Sequence, residues 1–63
     1  MPIVHVEWWE GRTHQNKVDV AKAFTDDLVR ILGSKPESVT IVFTDVKKEN
    51  WTKAGVLVSD AAK

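Results

Sequence analysis

Residues 2–13 read PIVHVEWWEGRT, and this stretch decides which fold the rest of the chain can adopt. Its first part is rich in β-branched and aromatic side chains, which predicts a strand over residues 2–9. Successive side chains of a strand point to opposite faces, and here both faces carry large residues. Such a strand is typical of a sheet that is covered on both sides. Glu10-Gly11-Arg12 then predicts a turn.

A long amphipathic helix is predicted after this turn. Thr13 is a suitable N-cap, residues 14–32 have helical periodicity, and Gly33 is a suitable C-cap. The apolar residues occupy about half of the helical wheel, which is wider than the ~100° stripe that a surface helix needs. We therefore expect more than one neighbour to cover the helix. The apolar set is Val18, Val20, Ala21, Phe24, Leu28, Val29, Ile31 and Leu32.

A second strand completes a β-α-β unit. Pro36 favours a short helical turn, and residues 39–46 are mostly β-branched, which predicts a strand. Residues 51–58 surround Gly55 and predict a small C-terminal hairpin, whereas residues 59–63 have no clear pattern. The order strand, helix, strand predicts an α/β fold with parallel strands and a right-handed crossover.

The composition predicts one small domain, residues 1–63, that associates with other copies. A chain of 63 residues is marginal alone, and small scaffolds need disulfides, a metal or association. There is no cysteine, and two distant histidines are too few for a metal site. Nine basic and nine acidic residues give no basic patch, which disfavours a nucleic-acid partner. Short apolar runs and the lack of a signal peptide predict a cytoplasmic protein without a membrane partner.

The candidate for chemistry is the Met1-Pro2 dipeptide, because no catalytic triad, phosphate loop or carboxylate pair is present. Initiator methionine is normally removed before a small residue, which would leave Pro2 with a free secondary amine. A free α-amine titrates near ~7.7–8, and an apolar environment lowers that pKa. Such a group is suited to general acid–base catalysis. By itself, the dipeptide is more often an ordinary chain start.

Three stretches together resemble the 4-oxalocrotonate tautomerase family. They are residues 2–13, the sequence PESVTIVFTDV at residues 36–46, and Asn50-Trp51 ahead of Gly55. The resemblance covers essentially the whole chain. It implies a β-α-β subunit whose strands join those of a second copy in a four-stranded sheet. It further implies a homohexamer built as a trimer of dimers, with a hetero-oligomer as the alternative.

The resemblance also implies the site residues. Pro2 matches the catalytic proline, Arg12 the arginine that binds a substrate carboxylate, and Trp51 an aromatic wall of the pocket. Trp9 matches an apolar position near that pocket. Thr40 stands where the family has a second arginine, which polarises the substrate carbonyl. The sequence offers Lys35, Lys53 and the Trp51 indole N–H as replacements for that arginine.

Three functions remain open at this point. The leading hypothesis is an enol–keto tautomerase, an isomerase, that acts on small 2-hydroxy-dienoates or enol carboxylates without cofactor or metal. The first alternative is a hydratase or dehalogenase of unsaturated acids, with a cationic Pro2 as general acid. The second is a non-catalytic oligomeric binding module, which the uncharged Thr40 keeps open.

Overall fold

The structure, a computed structural model, describes residues 1–61 of the chain. The elements are β1 (Ile3–Trp9), α1 (His14–Leu32), β2 (Thr40–Val46), β3 (Thr52–Lys53), β4 (Val56–Leu57) and α2 (Val58–Ala61). Single 3₁₀ turns lie at Pro36–Ser38 and Lys48–Asn50. The predicted strands and helix are confirmed to within one residue. The last two residues of the predicted domain, 62 and 63, lie outside the described part of the chain.

Helix α1 begins and ends at residues that the sequence identifies as caps. The Thr13 hydroxyl accepts a hydrogen bond from the Asn16 N–H, and the Asn16 side chain accepts one from the Thr13 N–H, both at 3.0 Å. At the other end Gly33 has a φ of 70° and donates its N–H to the Val29 carbonyl at 2.9 Å. These bonds satisfy backbone groups that lack partners at helix ends.

Strands β1 and β2 are parallel neighbours, which confirms the β-α-β unit. Their register places Ile3 opposite Thr40 and Trp9 opposite Val46. A short antiparallel hairpin, β3–β4, follows. Its two-residue turn needs left-handed backbone at both positions, and Ala54 and Gly55 have φ values of 52° and 80°.

The two faces of the β1–β2 sheet have different surroundings. We call the face that packs against α1 the covered face; it carries Val4, Val6, Trp8, Ile41, Phe43 and Asp45. The opposite face, here called the open face, carries Ile3, His5, Glu7, Trp9, Thr40, Val42, Thr44 and Val46. On the open face Ile3 is 67% exposed and Val42 is 44% exposed. One chain therefore leaves half of its sheet with little cover.

The chain alone is open and elongated. Its accessible surface is 4867 Å², whereas ~4,100 Å² is typical of a monomer of this mass. The radius of gyration is 15.0 Å, against ~11 Å for a compact domain of this length. Among residues 1–61 none is fully buried, and Ile31 and Leu32 at the end of α1 are 64% and 59% exposed. These values support the expectation that further copies cover the chain.

Within the described residues, no helix combines the length and apolarity needed to span a bilayer.

Candidate active site

Pro2 lies at the amino end of the parallel sheet. Its carbonyl accepts a hydrogen bond from the Thr40 N–H at 3.0 Å, and its ring is half-buried. Met1 is 94% exposed. While Met1 is attached, the Pro2 nitrogen is a tertiary amide without a basic lone pair. The free amine that the sequence predicts requires removal of Met1.

Arg12 lies in the turn between β1 and α1, on the helix side of the sheet. It lines an open cleft of about 340 Å³ together with Trp8, Asn16, Asp19 and Val20. Among residues 1–61, no ion pair joins Arg12 to a carboxylate. Asp19 in this cleft accepts a hydrogen bond from the Gln15 side chain at 2.8 Å. The guanidinium of Arg12 therefore keeps its capacity for a bidentate contact with an incoming carboxylate.

Pro2 and Arg12 lie at opposite ends of β1. The strand has seven residues, and at ~3.3 Å per residue it spans ~23 Å. One small substrate cannot touch both residues of the same chain. A site that uses both therefore requires Pro2 of one copy beside Arg12 of another.

Trp9 and Trp51 form an aromatic pair at the carboxyl end of the sheet. Their ring centroids are 6.0 Å apart with an angle of 82° between the planes, an edge-to-face arrangement. The carbonyl of Trp51 accepts a hydrogen bond from the Val58 N–H at 2.8 Å, which ties the hairpin region to this wall. Trp9 points to the open face, so in this chain the pair and Arg12 lie on opposite sides of the sheet.

Lys48 contacts this aromatic pair and was missed by the sequence analysis. Its Nζ lies 5.2 Å from the centroid of the Trp9 ring, a cation–π distance. The Trp9 Nε1–H is buried and has no acceptor among the described residues. Leaving a buried donor unpaired costs about 1–3 kcal/mol. The only signal in the sequence was that this lysine precedes Trp51 by three positions, which does not distinguish Lys48 from Lys47 in the same loop.

Trp8 is held in place on the covered face. Its ring stacks on Phe43 with centroids 5.0 Å apart and planes 12° from parallel. The Trp8 Nε1–H donates to Asp45 Oδ1 at 2.6 Å, and Lys17 Nζ lies 2.9 Å from Asp45 Oδ2. Hydrogen bonds from Lys17 and then Trp8 lower the pKa of the Asp45 carboxyl. This fixed ring also lines the Arg12 cleft.

Other polar side chains of the sheet are tied up locally or lie far from Pro2 within the chain. His5 Nε2 and Thr44 Oγ1 are 2.6 Å apart on the open face. Of the proposed replacements for the second arginine, Trp51 and Lys53 belong to the opposite end of the sheet. Within residues 1–61, no cluster of three or more metal-ligating side chains is present.

Comparison with known sequences gives one consistent family. The sequence profile described as "Tautomerase enzyme" matches residues 2–61. A probable tautomerase of Ralstonia nicotianae is 37% identical over 60 residues, covering 95% of this chain and 92% of the relative. The 2-hydroxymuconate tautomerase of Comamonas testosteroni is 33% identical over 63 residues and covers 100% of both chains.

Comparison with solved structures agrees. A 4-oxalocrotonate tautomerase isozyme from Methylibium petroleiphilum superposes with a TM-score of 0.90 at 31% identity, covering 98% of this chain and 100% of that one. The crystal structure of a second homologue of 4-oxalocrotonate tautomerase gives 0.89 at 32% identity and covers 95% of each chain.

Proposed function

This chain belongs to the tautomerase family and is an isomerase, and we propose that it interconverts enol and keto forms of small carboxylates through Pro2. The single observation that supports this proposal most is the place of Pro2 directly before strand β1, half-buried and next to an exposed Met1. Relatives named tautomerase match the chain over nearly its whole length. Membership of an enzyme family disfavours the alternative of a non-catalytic binding module.

The chemistry follows from the amine that forms when Met1 is removed. Neutral Pro2 takes the proton of the enol hydroxyl, and the electron pair moves through the conjugated system. The resulting cationic amine then delivers a proton to carbon, so the proton count balances. A free α-amine has a pKa of ~7.7–8 in water, which suits both transfers near neutral pH.

Arg12 of another copy anchors the substrate carboxylate in this proposal. The ~23 Å length of β1 excludes Pro2 and Arg12 of one chain from the same small ligand. The exposed apolar residues of the open face and of the helix end give the surface through which copies associate. The expected assembly is a homohexamer of three dimers, each dimer with a four-stranded sheet. Trp9 and Trp51 are the aromatic wall of the pocket in this proposal.

Thr40 limits the substrates that this site handles well. Its N–H bonds to the Pro2 carbonyl, and its hydroxyl carries no charge. Removing one preorganised donor from an active site typically costs ~2.7–4 kcal/mol. We therefore expect slower conversion of the dicarboxylate 2-hydroxymuconate than the arginine-bearing relatives achieve.

Loss of the proline amine is the direct test. Pro2→Ala keeps a primary amine after methionine removal but loses the fixed ring nitrogen. We expect kcat/KM for ketonisation of 2-hydroxymuconate and phenylenolpyruvate to fall by about 10²–10⁴-fold. Intact mass must show the loss of one methionine in the wild-type protein. Equal activity of the wild type and Pro2→Ala contradicts proline catalysis.

A mixing experiment tests the shared site. Pro2→Ala and Arg12→Ala subunits are each expected to be inactive as pure assemblies. After the two are denatured together and refolded, some sites pair an intact Pro2 from one chain with an intact Arg12 from another, and activity returns. A site built within one chain gives no recovery, because no chain in the mixture carries both residues.

The pH–rate profile separates the remaining alternative. Catalysis by neutral Pro2 requires a rate that rises as the amine loses its proton. A hydratase or dehalogenase that uses cationic Pro2 requires a rate that falls as the amine loses its proton. Activity towards a 3-halo-acrylate in place of the enols would favour that second reaction.

A further inference from the structure

One carboxylate, that of Asp45 at the end of β2, holds both sides of the turn that carries Arg12. Its Oδ1 accepts a hydrogen bond from the indole N–H of Trp8, near the end of β1, at 2.6 Å. Its Oδ2 lies 2.9 Å from the ammonium of Lys17, near the start of α1. Arg12 lies between Trp8 and Lys17 in the chain. The Asp45 side chain therefore closes residues 8–17 into a ring that contains the turn.

The turn has few constraints of its own. Gly11 has a φ of 109°, and a glycine at this position leaves the backbone free to adopt other conformations. Arg12 is exposed and forms no ion pair within residues 1–61. The backbone is held on one side, where the Glu10 N–H donates to the Val46 carbonyl at 2.9 Å, and on the other side at the Thr13 cap. The direction of the Arg12 side chain therefore depends on how firmly the two sides of the turn are joined.

We propose that Asp45 is a positioning residue for Arg12: by binding Trp8 and Lys17 at the same time, it holds the turn in the form that receives a substrate carboxylate. This inference rests on the proposed function, because it takes Arg12 as the anchor of the substrate. Asp45 is not among the residues that line the Arg12 cleft, whereas Trp8 is. The carboxylate of Asp45 therefore acts through other side chains and does not touch the substrate.

The two contacts of this carboxylate reach both walls of the Arg12 cleft. One wall is the Trp8 ring, which also stacks on Phe43 with 5.0 Å between the ring centroids. The other wall is the first half of α1, which Lys17 joins to the sheet. Binding a ligand to mobile groups requires free energy to order them, whereas walls that are already held do not require it. Loss of the Asp45 contacts should therefore weaken carboxylate binding.

Removal of either partner distinguishes a positioning role from a simple effect of charge. Asp45→Ala deletes a negative charge and Lys17→Met deletes a positive charge near a site that binds an anion. An effect of charge alone would tighten binding in the first variant and weaken it in the second. Because both substitutions open the same ring, we expect both to weaken carboxylate binding by about three- to tenfold. The double variant should bind no more weakly than Asp45→Ala, since the two residues act as a unit.

The probe is 3-phenylpropanoate, a monocarboxylate that does not tautomerise, and its dissociation constant is measured by titration calorimetry. Sedimentation velocity first checks that each variant keeps the wild-type assembly. Lys22→Met and Asp26→Ala are matched controls, because this ion pair is also 2.9 Å long but joins two exposed residues within α1. Both controls should bind like the wild type. Arg12→Ala should lose binding; undiminished binding by Arg12→Ala overturns the inference.

Amide hydrogen exchange reports the turn directly and does not depend on a ligand. The Glu10 N–H should exchange at least about threefold faster in Asp45→Ala than in the wild type, because its bond to β2 opens locally. The Gly33 N–H, bonded to Val29 at the far end of α1, should be unchanged. A general loss of stability would accelerate both amides and would overturn a local role. Asp45→Asn keeps an oxygen that can accept the Trp8 N–H, so it should recover part of the wild-type affinity.

The outcomes separate this inference from the proposed reaction. Weaker binding by both Asp45→Ala and Lys17→Met supports the positioning role even where Pro2→Ala leaves turnover unchanged. Where the enzyme turns over phenylenolpyruvate, Asp45→Ala should raise KM and leave kcat unchanged, because it removes binding shared by the ground and transition states. Unchanged or tighter binding by Asp45→Ala overturns the positioning role, and the tautomerase proposal then stands if Pro2→Ala abolishes turnover.

Discussion

The covered and open faces of the same two-stranded sheet differ in how far one chain satisfies them. On the covered face, Trp8 stacks on Phe43, its N–H donates to Asp45, and Lys17 from the helix neutralises that carboxylate. On the open face, Ile3 and Val42 remain 67% and 44% exposed. One chain forms both strands of the sheet, but it covers only one of the two faces.

The difference between the faces shows which parts of the molecule one chain can complete and which parts need a second copy. The covered face is closed by a local connection, because the β-α-β crossover returns the helix to the sheet that it leaves. The open face and the exposed end of the helix require a second molecule. In the proposed enzyme the site depends on that second molecule as well, since Pro2 and Arg12 of one chain lie beyond opposite ends of β1, which is ~23 Å long.

The largest effect is expected from a charge on the open face. Val42→Asp places a carboxylate where we expect another copy to pack, and burying an unpaired ion costs several kcal/mol. At pH 8 we expect the assembly to dissociate in sedimentation velocity and the tautomerase activity to disappear with it. Ala23→Asp, on the exposed side of α1, is the control and should assemble. Wild-type assembly by Val42→Asp would mean that the open face faces solvent.

A smaller loss is expected on the covered face. Phe43→Ala removes the ring that stacks on Trp8, and because Phe43 is only half-buried, we expect about 2 kcal/mol of lost stability rather than the 3–5 of a fully buried site. Urea denaturation at fixed protein concentration measures it. Phe43→Leu keeps apolar volume and should lose roughly half as much. Loss of assembly without loss of chain stability would place Phe43 in an interface instead.

A substitution at the helix cap, away from both faces of the sheet, gives a reference for the size of the stability losses. Thr13→Ala deletes the N-cap hydroxyl that accepts the Asn16 N–H, and such a loss costs about 1 kcal/mol. Thr13→Ser keeps the acceptor and should be close to the wild type in the same urea experiment. An equal loss in both variants would show that the methyl group, not the cap, is important.

The smallest effect at neutral pH is expected from Asp45→Asn. The pKa of Asp45 is lowered in the folded chain by hydrogen bonds from Lys17 and Trp8. The ionised carboxylate therefore contributes stability above its ordinary pKa of ~3.9, and this contribution is lost as the pH falls through the lower folded value. Asp45→Asn should show a weaker dependence of stability on pH between about 5 and 2. An unchanged dependence in Asp45→Asn would contradict this prediction.

Much of the fold follows from local patterns. The caps Thr13 and Gly33 set the helix ends, because each supplies a hydrogen bond or a backbone conformation that the ends require. The β-branched runs gave both strands to within one residue, and Gly55 indicated the hairpin. The sequence also placed Trp9 and Trp51 near one another through the family resemblance, and the structure brings these two rings together.

Other features depended on long-range geometry. The family resemblance assigned Pro2, Arg12, Trp9 and Trp51 to one site but could not tell which copy supplies each residue. The rise of β1 separates Pro2 from Arg12 within a chain, and Arg12 lies on the helix side of the sheet with Trp8. The sequence suggested Lys35 and Lys53 but not Lys48, because no short-range pattern tells which lysine of a polar loop folds back over a ring.

The amino-acid sequence alone determined the elements, their order and the family, since strand and helix periods, caps and turns are local properties of the chain. The tertiary structure decided which face of the sheet the helix covers, which ends of the strands hold Pro2 and Arg12, and which cation reaches Trp9. These depend on side-chain directions and strand register across 30 or more residues, where local preference carries no information and packing determines the outcome.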